Sequence, residues 1–156
     1  KQNPAAAVGA FEKAVALEMG NELFRTSLGG ALSDANLLDR AVEELTKVTS
    51  AEGYSGWQAW FYLGTAHLKA NRFKEGAAAF EKSLAAKPDN GQAEGLLAWC
   101  YVGLKDTDNF KLHGANARKL GFKDPELMKR LAQVEAGETF KDTTAKPVRS
   151  RKPRAR

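Results

Sequence analysis

The sequence has few of the residues on which most catalytic and metal sites depend. Its 156 residues include one cysteine, Cys100, and two histidines, His67 and His113. A single cysteine excludes an internal disulfide, and these three residues can ligate a metal only if the fold brings them together. No nucleophile and base stand in a catalytic pattern, and no glycine-rich phosphate loop follows a strand. We therefore expect no enzyme, no cofactor and no metal, and interpret Cys100 as a buried structural thiol.

Long apolar runs and strand patterns are missing as well. Hydrophobic residues make up 43% of the chain, but charges interrupt them well before the ~20 apolar residues that a membrane span needs. No β-branched stretch alternates with a period of two, whereas alanine, leucine, glutamate and lysine are frequent. The length suits one domain. We predict an all-α chain without a transmembrane helix, and a cytoplasmic or organellar compartment.

Positive charge is concentrated at the C-terminal end. Residues 141–156 hold seven basic residues and one acid, which leaves 17 basic and 18 acidic residues in 1–140. This tail has two prolines and no hydrophobic periodicity, so on its own it is predicted to be disordered. It is a candidate for binding nucleic acid, anionic lipid or an acidic protein face. The alternative is a tail that only aids solubility. The cations concerned are Lys146, Arg149, Arg151, Lys152, Arg154 and Arg156.

The most regular part of the chain is the stretch 57–90, which predicts two helices joined by a tight turn. Residues at three- and four-residue spacing share one face of the first helix: Trp60, Leu63, Gly64 and His67. The second helix carries Gly76 and Phe80 at the same kind of spacing and is stopped by Pro88. His67 lies on the apolar stripe, so we expect it in the core, and we expect His113 at the surface.

An internal repeat links this unit to the N-terminal helix. Four residues recur 69 positions later, which is two 34-residue repeats and one inserted residue. They are Phe11, Glu12, Lys13 and Asn21, which recur as Phe80, Glu81, Lys82 and Asn90. The first helix therefore corresponds to the second half of a repeat.

These residues resemble the tetratricopeptide repeat, whose pattern is W-x2-L-G-x2-Y, A-x3-F and P. The matches are Trp60, Leu63, Gly64, Phe80 and Pro88, with His67 in the tyrosine place and Gly76 in the alanine place. The resemblance implies an α-solenoid of antiparallel helix pairs with about eight helices. It divides the chain into a repeat domain, 1–140, and the tail, 141–156. The domain comprises a half repeat 4–21, repeats 22–55, 57–90 and 91–124, and a capping helix 125–137.

Two of these repeats depart from the pattern. Arg25 stands where the first repeat should have its tryptophan, and Gly29 with Gly30 predicts a close packing site inside a helix. In the last repeat Phe110 replaces a small residue and Gly114 replaces the aromatic. We expect this large-for-small exchange to conserve core volume.

The resemblance also implies a concave groove lined by the first helix of each repeat, which takes a protein or peptide partner. The implied groove residues are Gln58, Phe61, Tyr62, Thr65, Leu68 and Lys69, and then Gln92, Trp99 and Val102. The alternative is that Phe61 and Trp99 pack between adjacent repeats. Members that bind chaperone C-termini use a lysine and asparagine clamp, but its places hold Phe61, Thr65, Gly95 and Trp99 here. We therefore expect no clamp and an apolar or mixed ligand.

The function predicted from these observations is a protein-interaction scaffold or adaptor, as a non-catalytic subunit or assembly factor of a larger complex. The alternative is a factor associated with nucleic acid or an anionic surface and held there by its basic tail. An enzyme with an unrecognised site is a third hypothesis, without a motif to support it.

Overall fold

The computed structural model describes residues 3–140, and these residues form helices and turns without a strand. The basic tail 141–156 and its predicted partners lie outside the described residues. The order of elements is α1 (Pro4–Leu17), α2 (Glu22–Asp34), α3 (Leu38–Thr49), α4 (Gln58–Lys69), α5 (Phe73–Ala86), α6 (Gly91–Leu104), α7 (Thr107–Lys119) and α8 (Pro125–Glu135). The predicted all-α class is confirmed.

Short polar side chains fix where five of the helices begin. Each of these side chains accepts a hydrogen bond from a backbone N–H of the first turn, which otherwise has no partner. The caps are Asn3, Asn21, Asn90, Asp106 and Asp124. Asparagine also makes two of the turns inside repeats, because Asn36 and Asn71 adopt positive φ values of 62° and 58°, which asparagine tolerates better than most residues.

Successive helices pack against each other in pairs, and the pairs stack into a solenoid. The first helices of the repeats are neighbours, since α2 packs against α4 and α4 packs against α6. The second helices, α3 and α5, each lie between two first helices. This arrangement gives one side of the solenoid that is formed by α2, α4 and α6.

Close contact between α4 and α5 depends on Gly64. A Cβ atom on Gly64 would lie 2.9 Å from the ring of Phe80, and Phe80 is completely buried. Gly29 has the same role between α2 and α3, because a Cβ there would lie 2.3 Å from Cγ of Leu45. Glycine therefore lets a large side chain of the second helix reach the backbone of the first.

The place of the missing tryptophan in the first repeat is filled by an ion pair. Arg25 lies 19 residues before Glu44, and its Nη1 donates to Oε2 of that carboxylate at 2.5 Å. Burial raises the pKa of Glu44, but hydrogen bonds from Lys47 and Arg25 outweigh it and lower the pKa overall. In the repeat 57–90 the same two places hold Trp60 and Ala79. A large and a small residue are thus replaced by two polar residues that bond each other.

The repeat 91–124 uses the same replacement. Glu94 stands in the tryptophan place, and its Oε2 bonds Nδ1 of His113, again 19 residues away, at 2.6 Å. The amide of Asn116 donates to the other carboxylate oxygen at 3.2 Å, and the ring of Tyr101 stacks on the imidazole at 5.4 Å. The prediction that His113 lies at the surface is wrong, because this polar cluster holds it half-buried between α6 and α7.

We expect the Glu94 cluster to contribute measurably to stability. Glu94→Ala leaves a histidine nitrogen and an amide without their acceptor in a mostly buried site, which costs about 1–3 kcal/mol of unfolding free energy. Glu94→Gln keeps an acceptor oxygen and should cost less. Urea unfolding of the two variants measures the difference, with Gln92→Ala on the exposed side of α6 as the control. Equal losses for Ala and Gln would contradict a role for the hydrogen bonds.

The last helices close the C-terminal end of the described chain. Phe110 of α7 is fully buried, and Leu131 of α8 occupies the space opposite Gly114, 3.2 Å from where a Cβ would stand. The chain then turns at Gly137, where φ is 98°. Phe140, which the sequence analysis assigned to no element, is buried with its ring centroid 4.9 Å from that of Phe110.

Candidate partner-binding groove

Six of the predicted groove residues lie on the first helices with part of their side chain accessible to solvent. Four of them are exposed and two are half-buried. The exposed residues are Gln58, Tyr62, Lys69 and Gln92, and the half-buried residues are Thr65 and Trp99. These six side chains define the candidate groove.

Tyr62 is the large aromatic side chain of this groove with the most free surface. It is 36% exposed, and its ring lies next to Gly30 of α2, where a Cβ would lie 3.2 Å from Cε1 of the ring. The ring also contacts the ring of Phe61, edge to face at 5.7 Å between centroids. Tyr62 thus contacts the backbone of α2 and the buried ring of Phe61 in its own helix α4. These contacts hold its ring in place, so it can offer an ordered aromatic surface.

Lys69 joins α4 to the end of α2. Its Nζ donates to the carbonyl oxygen of Ser33 at 2.9 Å and lies 3.3 Å from Oδ1 of Asp34. A cation next to the last carbonyl groups of a helix is favourable, since these groups carry partial negative charge. The ammonium group of Lys69 therefore already has acceptors within the chain.

Trp99 links α6 to α8 at the other end of the groove. Its Nε1 donates to Oδ2 of Asp124 at 3.3 Å, and the guanidinium carbon of Arg130 lies 5.6 Å from the ring centroid. Asp124 and Arg130 were not predicted from the sequence as neighbours of Trp99. The spacing of the repeats could have indicated them. Arg130 follows Tyr62 by 68 residues, or two repeats, which places α8 in the row of first helices, next to α6.

Three predicted groove residues lie in the core instead. Phe61, Leu68 and Val102 are each 9% exposed, and Phe61 packs edge to face on Trp57 and Phe80. Phe61 also belongs to the buried cluster that includes Leu97 and Cys100 of the next repeat, so it packs both within its own repeat and toward its neighbour. The reason is that α4 and α6 each have neighbours on three sides, so their buried surface is wider than one stripe. The candidate groove is therefore confined to the other six residues.

His67 lies between α4 and α5 and is half-buried. Its Nδ1 is buried and has no hydrogen-bond partner within the described chain. Burial, and then the charge of Arg72, lower the pKa of its imidazole below the ordinary value of 6.5, although Glu75 opposes this. The folded chain therefore favours the neutral imidazole.

We expect His67 to make the unfolding free energy depend on pH. The contribution is fully present above pH 6.5 and is lost as the pH falls from there through the lowered pKa, because the unfolded chain then binds a proton that the folded chain does not. Urea unfolding at pH 7.5 and 5.5 measures this loss. His67→Tyr should flatten the dependence, and an unchanged pH dependence would contradict the assignment.

Two further properties of the described residues bear on function. Within residues 3–140 no three histidine, cysteine, aspartate or glutamate side chains stand close enough to hold a metal ion. Over the same residues, no helix is both long and apolar enough to cross a membrane. Cys100 is buried, and burial raises its pKa to about 12, which keeps the thiol protonated.

The amino-acid sequence also matches a known repeat family, in agreement with the geometry of the helix pairs. The family described as tetratricopeptide repeat matches residues 26–91 and 64–109, which together are more than half of the chain. The chain belongs to the tetratricopeptide repeat family. Repeats of this kind stack into superhelices with extended concave surfaces that serve as binding scaffolds, so the coarse prediction of a protein-interaction scaffold is confirmed.

Individual relatives in this family are moderately similar. The Hsp70-Hsp90 organizing protein of Triticum aestivum is 31% identical over 142 residues, which is 87% of this chain and 23% of that protein. The chain thus spans less than a quarter of its length. The structure of MamA from Desulfovibrio magneticus RS-1 superposes with a TM-score of 0.74 at 21% identity, over 85% of this chain and 75% of that one. MamA AMB-1 gives 0.65 at 26% identity, over 72% and 66%. The tetratricopeptide repeat solenoid is therefore shared with MamA.

Proposed function

We propose that this tetratricopeptide repeat protein is a non-catalytic adaptor, a subunit or assembly factor of a larger complex, which holds a partner protein in the candidate groove. The observation that carries the proposal is Tyr62, whose ring is held on Gly30 while a third of its surface stays free. Ordered aromatic side chains contribute large contact areas at low entropic cost and are frequent hot spots of interfaces.

The chemistry of the groove favours an uncharged or mixed segment as the ligand. Its free groups are the Tyr62 ring and the amides of Gln58 and Gln92, while Lys69 is occupied by acceptors of α2. A ligand carboxylate would have to compete with these acceptors. We therefore propose a partner segment with apolar side chains and amide or hydroxyl groups, not a terminal carboxylate of the kind that a lysine clamp recognises.

Photo-crosslinking tests where the partner lies. A photoreactive residue at position 58 or 92, both exposed on first helices, should capture the partner in extracts of the cells that produce the protein. The same residue at position 78, exposed on α5, is the matched control and should not. Capture that is equally strong from position 78 would overturn the placement of the partner in the groove.

The identified partner then allows a measurement of affinity. Tyr62→Ala is expected to weaken binding by about 30-fold, which corresponds to the ~2 kcal/mol of a hot spot. Isothermal titration calorimetry measures the change. Leu112→Ala serves as the control, since Leu112 is 55% exposed on α7, away from the groove. An unchanged affinity for the Tyr62 variant would remove the main support for the proposal.

A further inference from the structure

A surface cavity of about 350 Å³ lies between the start of α2 and the end of α3. Ligand pockets typically measure ~300–1,000 Å³. Its lining combines apolar and charged side chains, which include Met19, Glu22, Arg25, Lys47, Val48 and Ala51. Met19, Glu22 and Lys47 are exposed, so the cavity is open to solvent, whereas Val48 is buried. These residues belong to the helix pair α2–α3 and to the turns on either side of it, so neither end of the described chain forms the cavity.

The repeat 57–90 fills the equivalent place with aromatic rings. Its residues follow those of the repeat 22–55 by 35 positions, so the places of Met19, Glu22 and Arg25 are held by Tyr54, Trp57 and Trp60. These three aromatic residues are half-buried. Lys82 stands in the place of Lys47, and its Nζ lies 4.2 Å from the centroid of the Trp60 ring. The fold therefore accommodates aromatic rings beside a lysine at this place.

The repeat 91–124 fills the same place with leucine. Gly91 is its equivalent of Glu22, and Leu120 covers it, since a Cβ on Gly91 would lie 2.8 Å from Cβ of Leu120. In the repeat 22–55 the equivalent of Leu120 is Ala51, whose side chain is a single methyl group. The repeat 22–55 thus has neither the rings nor the leucine, which accounts for the cavity.

The side chains around the cavity suit an uncharged aromatic ring. The guanidinium group of Arg25 is held in place, because Nη1 donates to Glu44 and Nη2 donates to the carbonyl oxygen of Met19 at 2.9 Å. Lys47 donates to Glu43 and Glu44 at 2.8 Å. Cations attract the face of an aromatic ring, and a methionine thioether makes favourable contacts with its edge. Both cations already have carboxylate partners, so an anionic ligand would gain little here.

We propose that the cavity receives a tryptophan or tyrosine side chain of a partner protein, in the place that aromatic residues fill in the repeat 57–90. The ring would pack on Val48 and Ala51, with the cations of Arg25 and Lys47 beside it. This is a second binding site, since none of the six side chains of the candidate groove lines the cavity. A partner bound there would be held independently of the groove.

NMR titration of the isotope-labelled full chain tests the proposal. The probe is N-acetyltryptophanamide, because it presents the indole between two uncharged peptide groups. Added to about 20 mM, well above the millimolar or lower Kd expected of a ligand of this size, it should shift the backbone amide resonances of residues 19–25 and 47–51 in a saturable way. N-acetylleucinamide has an apolar side chain without a ring and should bind about 5-fold more weakly, which corresponds to the loss of one cation–π contact.

Two variants fill the cavity from inside. Ala51→Leu introduces the leucine of the repeat 91–124, and Met19→Tyr introduces the tyrosine of the repeat 57–90. Each should weaken binding of the probe by about 10-fold or more, because the ring loses its apolar contacts. Ala86→Leu is the matched control and should bind like the wild type, since Ala86 is the exposed equivalent of Ala51. The amide spectrum of each variant also shows whether it is folded.

Three results would overturn the proposal. The first is the absence of saturable shifts at residues 19–25 and 47–51. The second is binding of N-acetylleucinamide as strong as that of N-acetyltryptophanamide, or binding that neither cavity-filling variant weakens. The third is tighter binding of free tryptophan than of the amide, which would assign the cavity to a free amino acid. None of these results bears on Tyr62, so the candidate groove is tested separately.

Discussion

Phe80→Ala is expected to lower the free energy of unfolding by about 3–5 kcal/mol, the usual cost of removing a fully buried phenylalanine. The ring is completely buried and lies against Gly64 of α4 and Phe61, whose centroid is 5.9 Å away. Its loss leaves a cavity between the two helices of the most regular repeat. Urea or thermal unfolding followed by circular dichroism measures the change.

The chain contains a matched control for this prediction. Phe11 stands in the same place of the repeat but is only half-buried, so Phe11→Ala should cost roughly half as much, because less apolar surface is returned to water. Equal losses for the two variants would mean that α1 is covered as fully as α5, in contradiction to the structure.

Phe110→Ala is the second change with a large expected effect, again about 3–5 kcal/mol. Phe110 is fully buried in α7 and meets Phe140 edge to face at 4.9 Å and 72°. Aromatic pairs of this geometry contribute about 0.5–1.5 kcal/mol beyond the area that they bury. The single variants Phe110→Ala and Phe140→Ala and the double variant form a cycle in which this coupling appears as non-additivity.

Additive losses in that cycle would show that Phe140 does not dock on α7 in solution. A coupling in the expected range would show that residues 136–140 are part of the folded unit, beyond the end of α8. Leu120→Ala is a suitable control, since Leu120 is 42% exposed and should change stability little.

The fold was predictable because the signals for it are local. The spacing of Trp60, Leu63 and Gly64 defines a helix face without reference to any other part of the chain, and Pro88 marks the end of the next helix by its own backbone. The internal copy of residues 11–21 at 80–90 added the stacking. Periodicity, the proline stop and the internal repeat therefore predicted the helices and their order.

The groove was less predictable, because it depends on how many neighbours a helix has. Phe61 and Leu68 share a stripe that would be exposed on a helix packed on one side, but α4 contacts α2, α5 and α6 as well as α3. Stacking therefore buries a second stripe. Tyr62 is 36% exposed although its ring lies next to Gly30 of α2.

The polar cross-links were missed for a related reason. Arg25 and Glu94 were each compared with the family pattern one position at a time, whereas their partners lie 19 residues away on the next helix. A pairwise comparison of these two positions in all repeats would have shown the exchange.

The exchange means that two positions of each repeat, 19 residues apart on neighbouring helices, have to change together. Tryptophan with alanine, arginine with glutamate, and glutamate with histidine are alternative solutions for the same volume between two helices. A hybrid that combines arginine or glutamate with alanine would leave a charge there without its partner. A designer who shuffles modules of this solenoid must therefore transplant both members of a couple together.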